Sequence, residues 1–186
     1  MDYSSTIFLI GMPGCGKSTL GRALEAAGAA VFVDIDSEIE AACGMSVTEI
    51  FATLGENTFR RLETETLKRI ASKHIQDGRR MIVSTGGGLP CHGDNMQLML
   101  ATGTVVWMQS APQRTIERLA AAPGQRPAAD RAMAEGRLRQ WHDELLEART
   151  PYYSLAQTRF DSTELDDAPS VARAVQRFCK HFIPEK

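Results

Sequence analysis

Short apolar runs alternate along the chain with longer stretches of helical spacing. Thr6-Ile7-Phe8-Leu9-Ile10 stops at Gly11 and suits a strand buried on both faces, although periodicity alone also fits a helix segment. From Lys17 to Ala27 the spacing becomes helical. Leu20, Ala23, Leu24 and Ala27 share one face, and Gly28 closes the element. Val31-Phe32-Val33, Met81-Ile82-Val83-Ser84, Thr104-Val105-Val106-Trp107-Met108 and Thr158–Asp161 read as further strands. Helical stretches are expected from Ser37 to about Gln76, near Asp94–Ala101, from Pro112 to about Ala121, over Gly136–Ala148, and from Pro169 onward. Ser37-Glu38-Ile39-Glu40 and Ser46-Val47-Thr48-Glu49 have the S-x-x-E form of a capping box, which marks helix starts. Pro123-Gly124-Gln125-Arg126-Pro127 cannot continue a helix and reads as a mobile loop. Strands alternating with helices predict a parallel sheet with helices on both faces.

Composition narrows the class. The chain has 186 residues, which fits one domain of about 100–200 residues and leaves no room for a second. Its formal charge of −2 lacks the basic footprint of a nucleic-acid binder. No apolar run approaches the roughly 20 residues a membrane span needs. Met1-Asp2-Tyr3-Ser4-Ser5 has no basic secretory start, so a cytoplasmic protein is expected. Cys15, Cys43, Cys91 and Cys179 form no C-x-x-C pair, and His74, His92, His142 and His181 are isolated. They read as reduced thiols and ordinary histidines, not as a metal site.

The chemistry begins at Gly11-Met12-Pro13-Gly14-Cys15-Gly16-Lys17-Ser18, which matches G-x-x-x-x-G-K-[ST] between a strand and a helix. Glycines let backbone N–H groups converge on phosphate oxygens, and the helix that follows adds its positive end. Gly14, Cys15, Gly16, Lys17, Ser18 and Thr19 are the expected ATP contacts, with Ser18 as a Mg²⁺ ligand and Lys17 reaching the β- and γ-phosphates. A Gly-rich turn without a ligand is the bland alternative. No Asn is followed by Lys, so the base-reading Asn-Lys-x-Asp motif of guanine switches is missing. The length excludes the further domains of a motor. A compact kinase of a small molecule remains.

Asp34-Ile35-Asp36, Phe59-Arg60-Arg61, Gly86-Gly87-Gly88, Arg126-Pro127 and Arg149-Thr150-Pro151-Tyr152-Tyr153 follow the cradle in an order that resembles the shikimate kinases, over about residues 7–160. The resemblance implies an α/β, three-layer P-loop kinase fold with a five-stranded parallel sheet and a mobile lid. It implies a single domain over 1–186, a lid near 123–135 and a substrate-binding helical region near 35–76. It implies ATP-dependent phosphorylation of the 3-hydroxyl of shikimate with Mg²⁺, by a monomer whose partners are ATP and shikimate. Lys17, Asp36 and Arg126 would be catalytic. Asp34 would join Ser18 in holding the metal. Asp36, Arg60, Gly86, Gly87, Gly88 and Arg149 would bind shikimate, while Arg118 would lie against adenine. Where the family has two leucines after the lid Arg-Pro, this chain has Ala128-Ala129; Asp166-Asp167-Ala168 stand before Pro169 where a basic residue is usual.

Each of these residues has a plainer reading. Asp34 and Asp36 could serve as helix-entry residues, but Ser37 with Glu40 already offers a capping box, which argues for function. Arg61, with Glu65 four residues on, reads as a solvated pair. Arg60 has Glu56 and Glu63 in reach, and Glu63 could orient its guanidinium. Arg126 could be an exposed loop residue. Trp107, Trp141, Met96 and Met99 read as packing. A gluconate or nucleotide kinase, or a non-catalytic nucleotide-binding module, are the competing functions.

Overall fold

Strands β1 (Thr6–Ile10), β2 (Ala30–Asp34), β3 (Arg80–Ser84), β4 (Thr104–Gln109) and β5 (Thr158–Asp161) form one parallel sheet in the order β2-β3-β1-β4-β5. The structure is a computed structural model that describes residues 6–72, 80–124 and 126–183. Every residue of β1 is buried, because it sits between β3 and β4 with helices over both faces. That position accounts for its continuous apolar run. Register places Asp34 opposite Ser84 and Leu9 opposite Ser84, so the carboxyl ends of β2, β3 and β1 lie side by side. The strand order changes direction at β1, and ligands of open α/β sheets bind outside the carboxyl ends at such a point.

Eight helices complete the described residues: α1 (Lys17–Ala26), α2 (Ile35–Cys43), α3 (Val47–Ala71), α4 (Asn95–Thr102), α5 (Pro112–Ala121), α6 (Pro127–Ala134), α7 (Leu138–Tyr153) and α8 (Ala168–Phe182). A short 3₁₀ turn covers Leu89–Cys91. The Ser46–Glu49 capping box forms as expected. The box at Ser37 does not. Asp34 caps α2 instead, its carboxylate accepting from the N–H groups of Asp36 and Ser37, which leaves Ser37 inside the first turn. Glu40 serves elsewhere, accepting from Val47 N–H at 2.9 Å. The redundancy that argued for a purely functional Asp34 is therefore absent; this residue caps a helix as well.

Two more expectations shift. Residues after Pro127 form α6, where only a loop was expected, and Pro127 occupies its first turn. Helix α7 runs on past Ala148 to Tyr153 with Pro151 inside it. Within α3, Gly55 at φ 77°, ψ 166° breaks the helical path, a conformation open essentially to glycine alone. The helical stretch expected to Gln76 is present as far as Ala71, and its remainder lies outside the described residues.

The main core packs both faces of the sheet. Phe160, Phe178 and Phe182 form an aromatic group under β5 and α8, with ring centroids 4.5–6.3 Å apart. Burial of each such side chain contributes about 1.5–3 kcal/mol. Met96 and Met99 are core residues, as expected. A second cluster is separate and small: Leu119, Ala129, Ala132 and Leu138 are buried, with Ile116, Met133 and Trp141 against them. It joins α5, α6 and α7.

Candidate active site

The turn after β1 can close tightly only because of its glycines. Gly11, Gly14 and Gly16 have φ of 141°, 82° and 94°, and a Cβ on Gly11 would meet the Met108 carbonyl oxygen at 2.6 Å. Lys17 is buried, its Nζ donating to the carbonyls of Gly11 at 2.9 Å and Met12 at 3.0 Å. Cys15 is buried too, with its N–H donating to Met12 O and its thiol 3.7 Å from Lys17 Nζ. Beside them the Ser18 hydroxyl donates to Asp34 Oδ2 at 2.6 Å and lies 3.4 Å from Ser84 Oγ. Two hard oxygen donors at the edge of a phosphate cradle are a donor set suited to Mg²⁺, which keeps several waters and takes its other ligands from phosphates.

From this cradle one cavity of about 1630 Å³ extends in two directions. It is lined by Gly14, Gly16, Lys17, Ser18, Thr19, Asp34, Asp36, Arg60, Gly86, Gly87, Gly88, Arg118 and Arg126, so most residues singled out from the sequence converge there. Cys15 and Arg149 do not line it. Arg149 stands directly behind the wall: a Cβ on Gly87 would fall 2.7 Å from its Nη1.

The glycine triplet follows β3 and faces four charged groups, Glu63, Asp36, Arg149 and Arg60. A Cβ on Gly86 would lie 2.6 Å from Glu63 Oε1 and 3.1 Å from Asp36 Oδ1, and one on Gly88 would lie 2.7 Å from Arg60 Nη1. Tyr153 fixes the turn by donating its hydroxyl to Gly87 O at 2.7 Å. Burial pushes the Tyr153 phenol well above its ordinary pKa, so it remains a donor. Trp107 stacks on Tyr153 with centroids 5.7 Å apart, so this tryptophan is packing, as expected.

Arg60 is held by two carboxylates. Its Nη1 donates to Glu63 Oε2 at 2.7 Å, and its Nε and Nη2 donate to Glu56 Oε1 at 3.2 and 2.9 Å. Glu63 is only 1% exposed, and burial raises its carboxyl from 4.5 to about 7 against the opposing pull of Arg60. Asp36 is raised from 3.8 to about 6, first by burial and then by the Asp34 charge, while Lys17 and Arg126 pull it down. Asp36 Oδ1 and Arg149 Nη1 are buried and have no hydrogen-bond partner among the described residues. Buried polar atoms are almost always paired, so an orphaned acceptor and donor around one glycine turn point to a polar ligand there. Arg61 pairs with Glu65 at 3.5 Å out in solvent, as expected.

On the far side, Arg126 is the N-cap of α6, its N–H held by Asp130 Oδ2 at 3.2 Å. Arg118 on α5 donates to Asp166, a residue 48 positions away. Sequence spacing shows Glu56 and Glu63 beside Arg60, but not the burial that raises Glu63. Nothing local to Arg118 signals Asp166.

A profile described as shikimate kinase matches residues 13–180. The chain belongs to the shikimate kinase family. The shikimate kinase of Bacteroides thetaiotaomicron is 37% identical over 171 residues, covering 92% of this chain and 94% of that protein. That of Parabacteroides distasonis is 34% identical over 174 residues, covering 92% and 97%. Among solved structures, a shikimate kinase from Bacteroides thetaiotaomicron superposes with a TM-score of 0.85 at 35% identity, covering 96% of this chain and 98% of that one. A shikimate kinase from Acinetobacter baumannii, solved in complex with shikimate, gives 0.77 at 26% identity, covering 95% and 92%. A gluconokinase from Sinorhizobium meliloti, at 0.51 and 17% identity over 98% of both chains, shares the fold alone. As a member of the shikimate kinase family, the chain is a kinase of the P-loop fold, with the expected five-stranded parallel sheet flanked by helices. Among the described residues no helix is long and apolar enough to cross a membrane.

Proposed function

We propose that the chain performs its family's reaction, transfer of the γ-phosphoryl group of ATP to the 3-hydroxyl of shikimate, on the residues gathered at this cavity. The observation that carries the reading is the pairing of an orphaned buried carboxylate oxygen on Asp36 with an orphaned guanidinium nitrogen on Arg149, flanking a glycine turn beside a phosphate cradle. A polyhydroxy acid supplies both missing partners, a hydroxyl for Asp36 and a carboxylate for Arg149 and Arg60. Arg forks are suited to planar, bidentate carboxylate recognition.

Asp36 accepts the hydroxyl hydrogen bond and then its proton. With its pKa raised to about 6 it is ionised at neutral pH yet basic enough to take part in the transfer. The hydroxyl oxygen bonds to the γ-phosphorus, the bond to the ADP oxygen breaks, and the proton rests on Asp36. Gly86, Gly87 and Gly88 leave room for Glu63, Arg149 and Arg60, with which any side chain there would collide, so the ring meets a wall of bare backbone and placed charges. Gly14 to Thr19 cradle the phosphates, Lys17 turns from the loop carbonyls to the phosphate oxygens, and Arg126 brings positive charge from the lid. Ser18 and Asp34 would hold Mg²⁺, which would neutralise phosphate charge there. Positioning and charge stabilisation are most of what phosphoryl transfer requires. The same reading keeps the enzyme a monomer in the cytoplasm.

Mg-dependent ADP release measured in parallel with shikimate, gluconate and nucleoside monophosphates tests this. Stimulation by shikimate alone is expected. No stimulation by shikimate at millimolar concentration overturns the assignment.

A further inference from the structure

The nucleotide end of the cavity is lined by Gly14, Gly16, Arg118, Leu165 and Asp166. Arg118 is bound along its edges. Its Nε donates to Asp166 Oδ1 at 2.8 Å, Nη1 to Ser110 Oγ and Ser162 O at 3.3 Å each, and Nη2 to Thr163 O at 2.6 Å. A guanidinium with its edges engaged offers a ligand its flat face, which stacks on aromatic rings. Asp166 is held in turn. Its Oδ2 takes Arg114 Nη2 at 2.8 Å, and Arg114 Nη1 donates to Glu117 Oε2 at 3.0 Å. Leu165, the neighbour of Asp166, packs on Gly16 of the phosphate loop, so the loop before α8 touches the cradle and the arginine together.

We propose that Asp166 is a positioning residue for nucleotide binding: it fixes the plane of Arg118 so that the guanidinium face forms the platform for the base, with Arg114 holding Asp166 from outside. The inference rests on the proposed kinase reading: with a nucleotide's phosphates on Gly14–Thr19, the base falls toward Arg118, which lines the same cavity. Partly exposed ion pairs contribute little to stability, so the function of this network is to orient, not to hold the fold. A face reads no base edge, because every base has a π-surface. Asp166 therefore governs how tightly a base is held more than which base is chosen.

Binding of ADP, GDP and inorganic tripolyphosphate to wild type, Asp166→Ala, Asp166→Asn and Arg114→Ala, by calorimetry, tests this without any turnover. Asp166→Ala is expected to weaken ADP and GDP by a similar factor, about 5–20-fold, the lower part of the range for base stacking because the platform is loosened and not removed. Tripolyphosphate, which has no base, is expected to bind unchanged. Asp166→Asn, which keeps an acceptor for Arg118 Nε, restores much of the loss, and Arg114→Ala gives a smaller loss of the same kind. The melting temperature of each variant is expected within about 4 °C of wild type. Unchanged ADP affinity in Asp166→Ala overturns the proposal, as does an equal loss for ADP and tripolyphosphate, which would place the effect in the cradle. If the variants behave as expected but shikimate does not stimulate ADP release, the substrate assignment falls and this inference stands.

Discussion

Around the glycine turn every direction a side chain could take is occupied, while the backbone itself lines the cavity. A Cβ on Gly86, Gly87 or Gly88 would come within 2.6–2.7 Å of Glu63, Arg149 or Arg60, and Gly87 O is held by Tyr153. Around the lid there is room. Gly124 and Gly136, which bracket α6, have φ of 84° and 71° and nothing within 4 Å of a Cβ built on either. Four buried side chains, two of them alanines, make up the cluster that seats α6. The wall is continuous with the main core. Helix α6 rests on a small cluster of its own, the kind of region that opens at low free-energy cost. On the proposed reading, one part of the cavity would owe its selectivity to rigidity, and the other would act as a lid because it has little to break.

The largest test of the wall is Asp36→Asn. Loss of the base is expected to lower kcat by about 10²–10⁴-fold. In wild type, kcat/KM for shikimate should fall about tenfold per pH unit below pH 6, where Asp36 takes up its proton, and the variant should lack that limb. The same change should stabilise the protein. The folded pKa is raised from 3.8 to about 6, so the stability present at low pH is lost as pH rises through that window. At pH 8 the wild type bears the full penalty of a buried charge. Asparagine avoids it, for a gain of about 1–3 kcal/mol in urea unfolding. Equal or lower stability would show that Asp36 is better solvated than its surroundings suggest.

Arg149→Ala comes next. The KM for shikimate should rise about 100-fold, as when one partner of a buried charge pair is removed, with the KM for ATP little changed. The reverse pattern would move Arg149 out of the acid site. Gly87→Ala sharpens the contrast further. Its Cβ must displace Arg149 Nη1, Pro13 or the Gly11 carbonyl, and a roughly tenfold rise in the KM for shikimate is expected. The smallest effect belongs to the lid. Ala128→Leu adds a larger side chain at an exposed position and should change stability by less than about 0.5 kcal/mol. Its effect on kcat is expected to stay within about threefold. A large loss there would mean that the lid is as tightly specified as the wall.

Strands β1 to β4 were legible as short apolar runs set between glycines and helical periodicity, β5 less so because only Phe160 in it is buried, and the cradle because its spacing is strict. Helix α6 was not legible. Helix α6 has a start signal at Pro127 but only a short stripe of mostly small residues, Ala129, Ala132 and Met133, and Arg126 is a poor cap that works only with Asp130 reaching back to its N–H. The start of α2 was hidden for a different reason. Ser37 and Glu40 satisfy the capping pattern locally, but the end of β2 delivers Asp34 first, and the helix starts there. Arg60 with its carboxylates could be read from one helix face. Arg118 with Asp166, and Tyr153 with Gly87, join segments 48 and 66 residues apart, and only the folded sheet brings them together.

Helix α7 carries Leu138 and Trp141 into the lid cluster at one end, and Arg149 and Tyr153 to the glycine turn at the other. From Trp141 to Arg149 is about 12 Å of helix. One residue inserted between them would turn Arg149 by about 100° and advance it by about 1.5 Å, taking its guanidinium from behind Gly87. The loops at either end of α7 can absorb a change in chain length; this interval cannot. Descendants of this sequence are free to vary much of the outward face of α7, but they inherit the number of residues in it.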